Sequence, residues 1–327
     1  MNHYELDLCF INKYFCYKNK LSSTKYQKIM KFWIISVLLA SILGCSTSNT
    51  DNGDGSITSE PETSKIKIQL NAGIATRATE TAFEKQDRIG LYVVNQNEGQ
   101  AGELLQQGNH VDNMRFTYSD KWTPDEPIYW KDGTTKADFY CYYPYQTNPN
   151  IHSCSFSTLT NQTTEENYKA SEFLWGKTPN VSPTEIAVDI TTRHAFSCAQ
   201  IKLLPGDGFT EESLKNAAIQ LQINHVLPDA IINLSNGQAT ACGNPKSISP
   251  WFDGTYYKAI IVPQTIDKSD LIVIKINGKD YTLTQGHTFE ANKRHKFTVT
   301  INKTGSGINV GIGKWEDDPI DHGGNAE

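Results

Sequence analysis

The groups with which this 327-residue chain could do chemistry are eight histidines, seven cysteines and 36 carboxylates, and their spacing argues against catalysis. No His-Glu-x-x-His pair occurs, and the histidines never fall at the separation that one strand or helix face needs to hold zinc. No Gly-x-Ser-x-Gly elbow presents a serine nucleophile. Gly305, Gly307, Gly311 and Gly313 lie in and between strand-like runs instead of opening a helix, so they read as strand or bulge geometry and not as a phosphate loop. Asp51-Asn52-Gly53-Asp54-Gly55 has glycine where a calcium loop needs side-chain oxygens. Asp and Glu are scattered through turns, and a glycosidase pair is defined by separation in space. No enzyme activity, metal or cofactor is expected.

One cysteine does stand in a chemical context. The run Phe32 to Gly44 is the longest apolar stretch and is too short for a bilayer span. With Lys31 before it, it has the form of a secretory h-region. Ile42-Leu43-Gly44-Cys45 reads as a lipobox, with the Cys45 thiol lipidated and Cys45 the new N-terminus. A single N-terminal anchor helix is the alternative. Met30 offers a start that gives an ordinary signal length, which makes residues 1–29 a start-site extension of a signal peptide covering 1–44. Those residues hold six lysines against Glu5 and Asp7, so from a total of −6 the remainder stands at −10. An acidic chain without a basic block lacks the footprint for phosphate backbones, and nucleic-acid binding is set aside.

Leaving out Cys45 and the early Cys9 and Cys16, the thiols are Cys141, Cys154, Cys198 and Cys242, with no metal-knuckle spacing. Cys141 and Cys198 sit in apolar strands and read as small core residues, although export would permit disulfides and the pairing stays open. Aromatics give the one alternative to a purely structural chain. Trp251-Phe252, between Pro250 and Asp253-Gly254, could stack on a sugar, whereas most of the other large rings read as core or wet-edge residues.

The elements that must position these residues are strands. Residues 45–64 form a flexible polar tether. Apolar residues then alternate at Ile66, Ile68 and Leu70, and recur in half-buried runs at Ile89–Val94, Met114–Tyr118, Phe139–Tyr143 and Ile186–Ile190. A second series runs from Ile201 to Ile312. Asn277-Gly278 and Asn236-Gly237 are suited to type I′ hairpins, and Asp132-Gly133 punctuates similarly. Thr210 caps the one short helix expected, over Glu211 to Asn216. The sum is an all-β chain of two tandem antiparallel β-sandwiches, 65–192 and 193–318, followed by a polar tail, 319–327.

Several strings in order resemble the fimbrillin family of pilus-subunit lipoproteins. They are Thr76-Arg77-Ala78 with Asp87-Arg88-Ile89-Gly90-Leu91-Tyr92, Tyr129-Trp130-Lys131-Asp132-Gly133, Tyr142-Tyr143-Pro144-Tyr145, Glu172-Phe173-Leu174-Trp175, His194-Ala195-Phe196, Ile261-Val262-Pro263-Gln264-Thr265 and Ile312-Gly313-Lys314-Trp315. The resemblance implies transthyretin-like sandwiches and a role in fimbriae and adhesion. It implies a lipid-anchored precursor at the outer membrane, cut by a trypsin-like protease after Arg77. The strand holding Ile66, Ile68 and Leu70 would then leave, and another fimbrial subunit would fill its place by strand addition. The tail after Trp315 is acidic and interrupted by Pro319, a poor donor strand. Either Ile308–Ile312 is exchanged or the chain is a tip, accessory or anchor subunit.

Overall fold

The computed structural model describes residues 65–75 and 82–302 together with the backbone of 305–314. The expectations at Cys45, at Arg77 and in the tail 319–327 lie outside the described residues. From Ile66 onward the chain falls in one compact unit.

Seven strands make the largest sheet: β1 (Leu70–Ile74), β2 (Arg88–Asn95), β3 (Val111–Tyr118), β4 (Trp122–Pro124), β5 (Ala137–Tyr143), β7 (Leu174–Val181) and β8 (Val188–His194). Their order is β1-β8-β7-β5-β2-β3-β4. β2 and β5 are covered on both faces, not half-buried as their sequence suggests. Ile89, Leu91 and Val93 join Phe139 and Cys141 in one core, while Tyr92 and Val94 join Tyr140 and Tyr142 in another. A strand buried on both sides reads as a continuous apolar run, which is what Ile89–Val94 presents.

The second core is roofed by a three-stranded sheet of β6 (Cys154–Ser157), β11 (Asp229–Asn233) and β12 (Gln238–Cys242). β6 pairs with β11, so strands from either side of residue 192 share one sheet. A third core lies between two further sheets. One runs β14-β15-β9-β18-β19, from Trp251–Phe252, Tyr257–Ile261, Ser197–Pro205, Lys293–Asn302 and Gly305–Lys314. The other runs β13-β10-β16-β17, from Lys246–Ile248, Ile219–Val226, Gln264–Ile276 and Lys279–Phe289. Ile201, Phe297 and Val299 meet Leu221, Ile272 and Ile274 there.

The pairing is mainly antiparallel, with two parallel pairs, β1 on β8 and β9 on β18. The helix after Thr210 is present as α2 (Glu211–Lys215), closed by a capping box between Thr210 and Ser213. A second helix, α1 (Glu165–Ala170), corrects the expectation of one. It is capped by Thr164, and at six residues it is too short for helical periodicity to register.

Asn277 and Gly278 take φ of 49° and 85° between β16 and β17, the two left-handed residues of the expected hairpin. Asn236-Gly237 departs from expectation: the connection from β11 to β12 spans four residues, and only Gly237 is left-handed, at φ 74°. A Cβ there would stand 2.4 Å from the Trp175 ring, whose indole N–H donates to the Leu234 carbonyl at 2.7 Å. Gly237→Ala is therefore expected to destabilise by about 1–3 kcal/mol through overpacking and strain. Urea unfolding reads this directly, and an unchanged midpoint would remove the account.

Candidate functional site

The first described residues close the seven-stranded sheet. Ile68, Leu70 and Ala72 are 1%, 5% and 6% exposed and enter the core of Ile89, Leu91, Phe116 and Phe139, while Lys67, Gln69, Asn71 and Gly73 between them face out. This is the period-two burial the sequence predicts, though regular strand begins only at Leu70. On one side Leu70 to Ile74 run parallel to Val188 to Thr192. On the other, the Ile68 N–H donates to the Ile128 carbonyl and the Trp130 N–H to the Ile66 carbonyl, each at 2.9 Å. The segment thus satisfies two backbone edges that would otherwise be unpaired.

Side chains hold it in register. The Trp122 indole N–H donates to the Ala72 carbonyl at 2.9 Å, and the Thr192 hydroxyl to the Gly73 carbonyl at 3.0 Å. Asn71 donates to Asp189 at 2.7 Å and Gln69 to the Glu185 carbonyl at 2.9 Å. A groove of about 410 Å³ lies beside the segment, walled by Leu70, Phe116, Tyr118, Trp122 and Pro124. Trp122 and Ile128–Trp130 were not separable from other core aromatics by sequence, because their role depends on an edge that sequence does not display. The described chain leaves this site at Ala75 and returns at Ala82, where Phe83 packs edge-on to Trp122 with ring centroids 4.9 Å apart.

The structure separates the paired aromatics. Trp251 turns inward, 5.4 Å from the Tyr168 ring, with the Lys258 ammonium 5.8 Å above it. Lys258 is buried and ion-paired to Asp253 at 2.6 Å. Phe252 turns outward, 49% exposed, and lies 4.6 Å from the Tyr257 ring. Trp251 and Phe252 therefore do not lie on one face. Ile186, read from sequence as the start of a half-buried strand, is 77% exposed before β8 begins.

Cys141, Cys154, Cys198 and Cys242 are free thiols. Burial pushes Cys141 and Cys154 up to about 12 and Cys198 to about 11, so these three stay protonated and inert as nucleophiles. Among the described residues no group of three or more His, Cys, Asp or Glu is placed to hold a metal ion.

The fimbrillin-like family profile matches residues 76–315. This chain belongs to the fimbrillin-like family. The matched span of this fimbrillin-like chain begins just after β1 and ends at Trp315. A candidate fimbrium tip subunit of Bacteroides ovatus, Fim1C, is 27% identical over 126 residues, 37% of this chain and 22% of that protein. The chain thus aligns with about a fifth of that relative's length. Two crystal structures of candidate cell adhesion proteins share the fold. One from Bacteroides uniformis has a TM-score of 0.61 at 19% identity and covers 78% of this chain and 100% of its own. One from Bacteroides ovatus has a TM-score of 0.62 at 16% identity and covers 78% and 99%. The neighbours fit the expected all-β, sandwich-like architecture.

Proposed function

We propose that this fimbrillin-like chain is a subunit of a surface fimbria, that its precursor is anchored through lipid on Cys45 in the outer membrane, and that the Ile66–Ile74 segment is a placeholder strand. The supporting observation is that one segment pairs with the β8 edge of the largest sheet on one side and with the backbone of Ile128–Trp130, outside that sheet, on the other. Cutting after Arg77 severs that segment from the rest of the chain, and its departure opens two backbone edges above the Ile89, Leu91 and Phe139 core. A strand from a neighbouring subunit that buries alternate side chains fits that opening. The family match beginning at Thr76 agrees with a mature subunit that starts beyond β1.

β19 pairs with β18 along its whole length, from Lys293 opposite Lys314 to Asn302 opposite Gly305. A strand so engaged in its own chain supports a terminal subunit that accepts a strand without donating one, as the tip-subunit name of the Bacteroides ovatus relative would suggest.

Limited trypsin digestion of the full chain, followed by intact-mass measurement and size-exclusion chromatography, tests this reading. A cut confined to Arg77, followed by loss of the 66–75 segment and stable association with a fimbrial partner subunit, is the expected result. Resistance at Arg77, or a cut chain that retains its strand and stays monomeric with partner present, would overturn it.

A further inference from the structure

A second concavity lies at the end of the closing strand. It has a volume of about 690 Å³ and opens between the end of β1, the turn before β2, the end of β5 and α1. Its walls are apolar and aromatic: Ile74, Phe83, Tyr143, Tyr168 and Leu174. Its polar groups are almost all of one sign. Among the described residues, Glu84, Asp87, Glu165, Glu166 and Glu172 line it against the one ammonium of Lys169. Lys169 is itself occupied, bridging Glu84 at 2.6 Å and Glu165 at 2.7 Å, so its charge is spent on two of the five carboxylates.

The remaining carboxylates keep acceptor capacity. Asp87 takes the Glu84 N–H at 2.7 Å and the Tyr143 hydroxyl at 3.2 Å, one on each oxygen, which leaves a lone pair on each. Glu172 lies at the cleft wall with one oxygen 3.0 Å from His194 Nδ1. Burial raises the Asp87 carboxyl above the usual carboxylate range, against the hydrogen bonds from Glu84 and Tyr143 that lower it. An ionised Asp87 is thus under-solvated, and a cation entering the cleft would relieve it.

We propose that this cleft binds the basic side chain, arginine above lysine, of an extended segment of a partner protein. Arginine joins a three-carbon apolar stem to a planar cation. The stem suits Ile74 and Leu174. The guanidinium can lie against the Tyr143 or Phe83 ring and donate to Asp87 and Glu172. Anionic ligands meet five carboxylates and are repelled, and a neutral sugar would leave the charge imbalance unanswered. The cleft takes this form with β1 in place, since Ile74 is the last residue of that strand, so the assignment applies to the chain before the strand departs.

Calorimetric titration of the full chain with acetyl-Ala-Arg-Ala-amide tests the proposal, with acetyl-Ala-Gln-Ala-amide as neutral probe. Saturable binding of the arginine peptide is expected at low salt, weakened several-fold at 0.5 M salt and absent for the glutamine peptide. Asp87→Asn keeps the shape and should weaken binding at least roughly tenfold, while Glu166→Gln, an exposed rim change that leaves the fold alone, should weaken it about two- to fivefold. No heat with the arginine peptide, equal binding of the neutral peptide, salt-independent affinity, or wild-type affinity in Glu166→Gln would each overturn the proposal. Should Asp87→Asn fail to fold, the Glu166→Gln titration and the peptide pair still decide it.

Discussion

Leu70→Asp is expected to unseat the closing strand without any protease. The Leu70 side chain is buried among the Ile89, Phe116 and Phe139 core, so the substitution removes about 2 kcal/mol of apolar burial and sets an ionised carboxylate in the same place. Together these amount to about 4–5 kcal/mol, enough to favour expulsion of the segment over unfolding of the whole sheet. Ile68 and Ala72 remain to hold the segment by apolar burial, and the Trp122 bond to Ala72 is buried; the remaining contacts are backbone pairs and exposed side-chain bonds that water can replace. Size-exclusion chromatography at neutral pH should show the variant leaving the monomer peak and forming strand-exchanged species. A synthetic peptide of residues 65–75 should compete with that association. Asn71→Ala, which loses one exposed bond to Asp189, should stay monomeric. A monomeric, protease-resistant Leu70→Asp chain would refute the placeholder role of the strand.

Stability should fall as pH drops from about 6.5 to about 4, because of a histidine pair between β17 and β18. The backbone N–H of Glu290 donates to His295 Nε2 at 3.0 Å, so the proton of neutral His295 sits on Nδ1 and is donated to His287 Nε2 at 2.9 Å. A second proton on His295 would face the Glu290 N–H, donor against donor. Burial above all, then the neighbouring His287, lowers His295 to about 4; Lys293 acts in the same direction and the Glu290 carboxylate opposes. Burial lowers His287 as well, against the Glu290 charge.

The unfolded chain therefore binds more protons than the folded one between the two His295 values. The contribution is fully present above about 6.5 and is lost progressively toward about 4. For His295 alone this is about 2 kcal/mol between pH 7.5 and 5.0. Asp138 and Asp253 do not confuse the reading. Asp138 is buried, which opposes ionisation, yet the Asn180 N–H, Lys177 and Gln96 hold it below its ordinary range. Asp253 is likewise lowered against its burial, by Lys258 and two backbone N–H groups. Depressed carboxylates give up stability only below about 4, where their unfolded counterparts begin to protonate. Urea midpoints at pH 7.5 and 5.0 should differ in the wild type and converge in His295→Gln, and an equal pH response in both would refute the assignment.

Much of the local structure was legible. The alternation at Ile66, Ile68 and Leu70 placed those side chains on one face, Asn277-Gly278 marked a hairpin, and Thr210 marked a helix start, because each depends on residues within a few positions of one another. The α1 helix escaped because it spans less than two turns. The double burial of β2 and β5 escaped because an apolar run does not state how many faces are covered. The cleft beside Asp87 escaped because its carboxylates come from two stretches, 84–87 and 165–172, that lie far apart in the chain and carry no common motif.

By itself the sequence determined an all-β chain, most of the strand runs that enter its cores, the absence of catalytic spacings and the family resemblance that the match over 76–315 bears out. Tertiary structure alone decided that β1 runs parallel to β8, that Ile128–Trp130 supplies the opposite edge, that β6 crosses to β11, and that His287 meets His295. Period-two patterning says which face of a strand is buried, but every unpaired edge offers the same row of N–H and C=O groups. Which edge a strand takes is settled only when the remaining edges and the volumes of the facing side chains are fixed together in space.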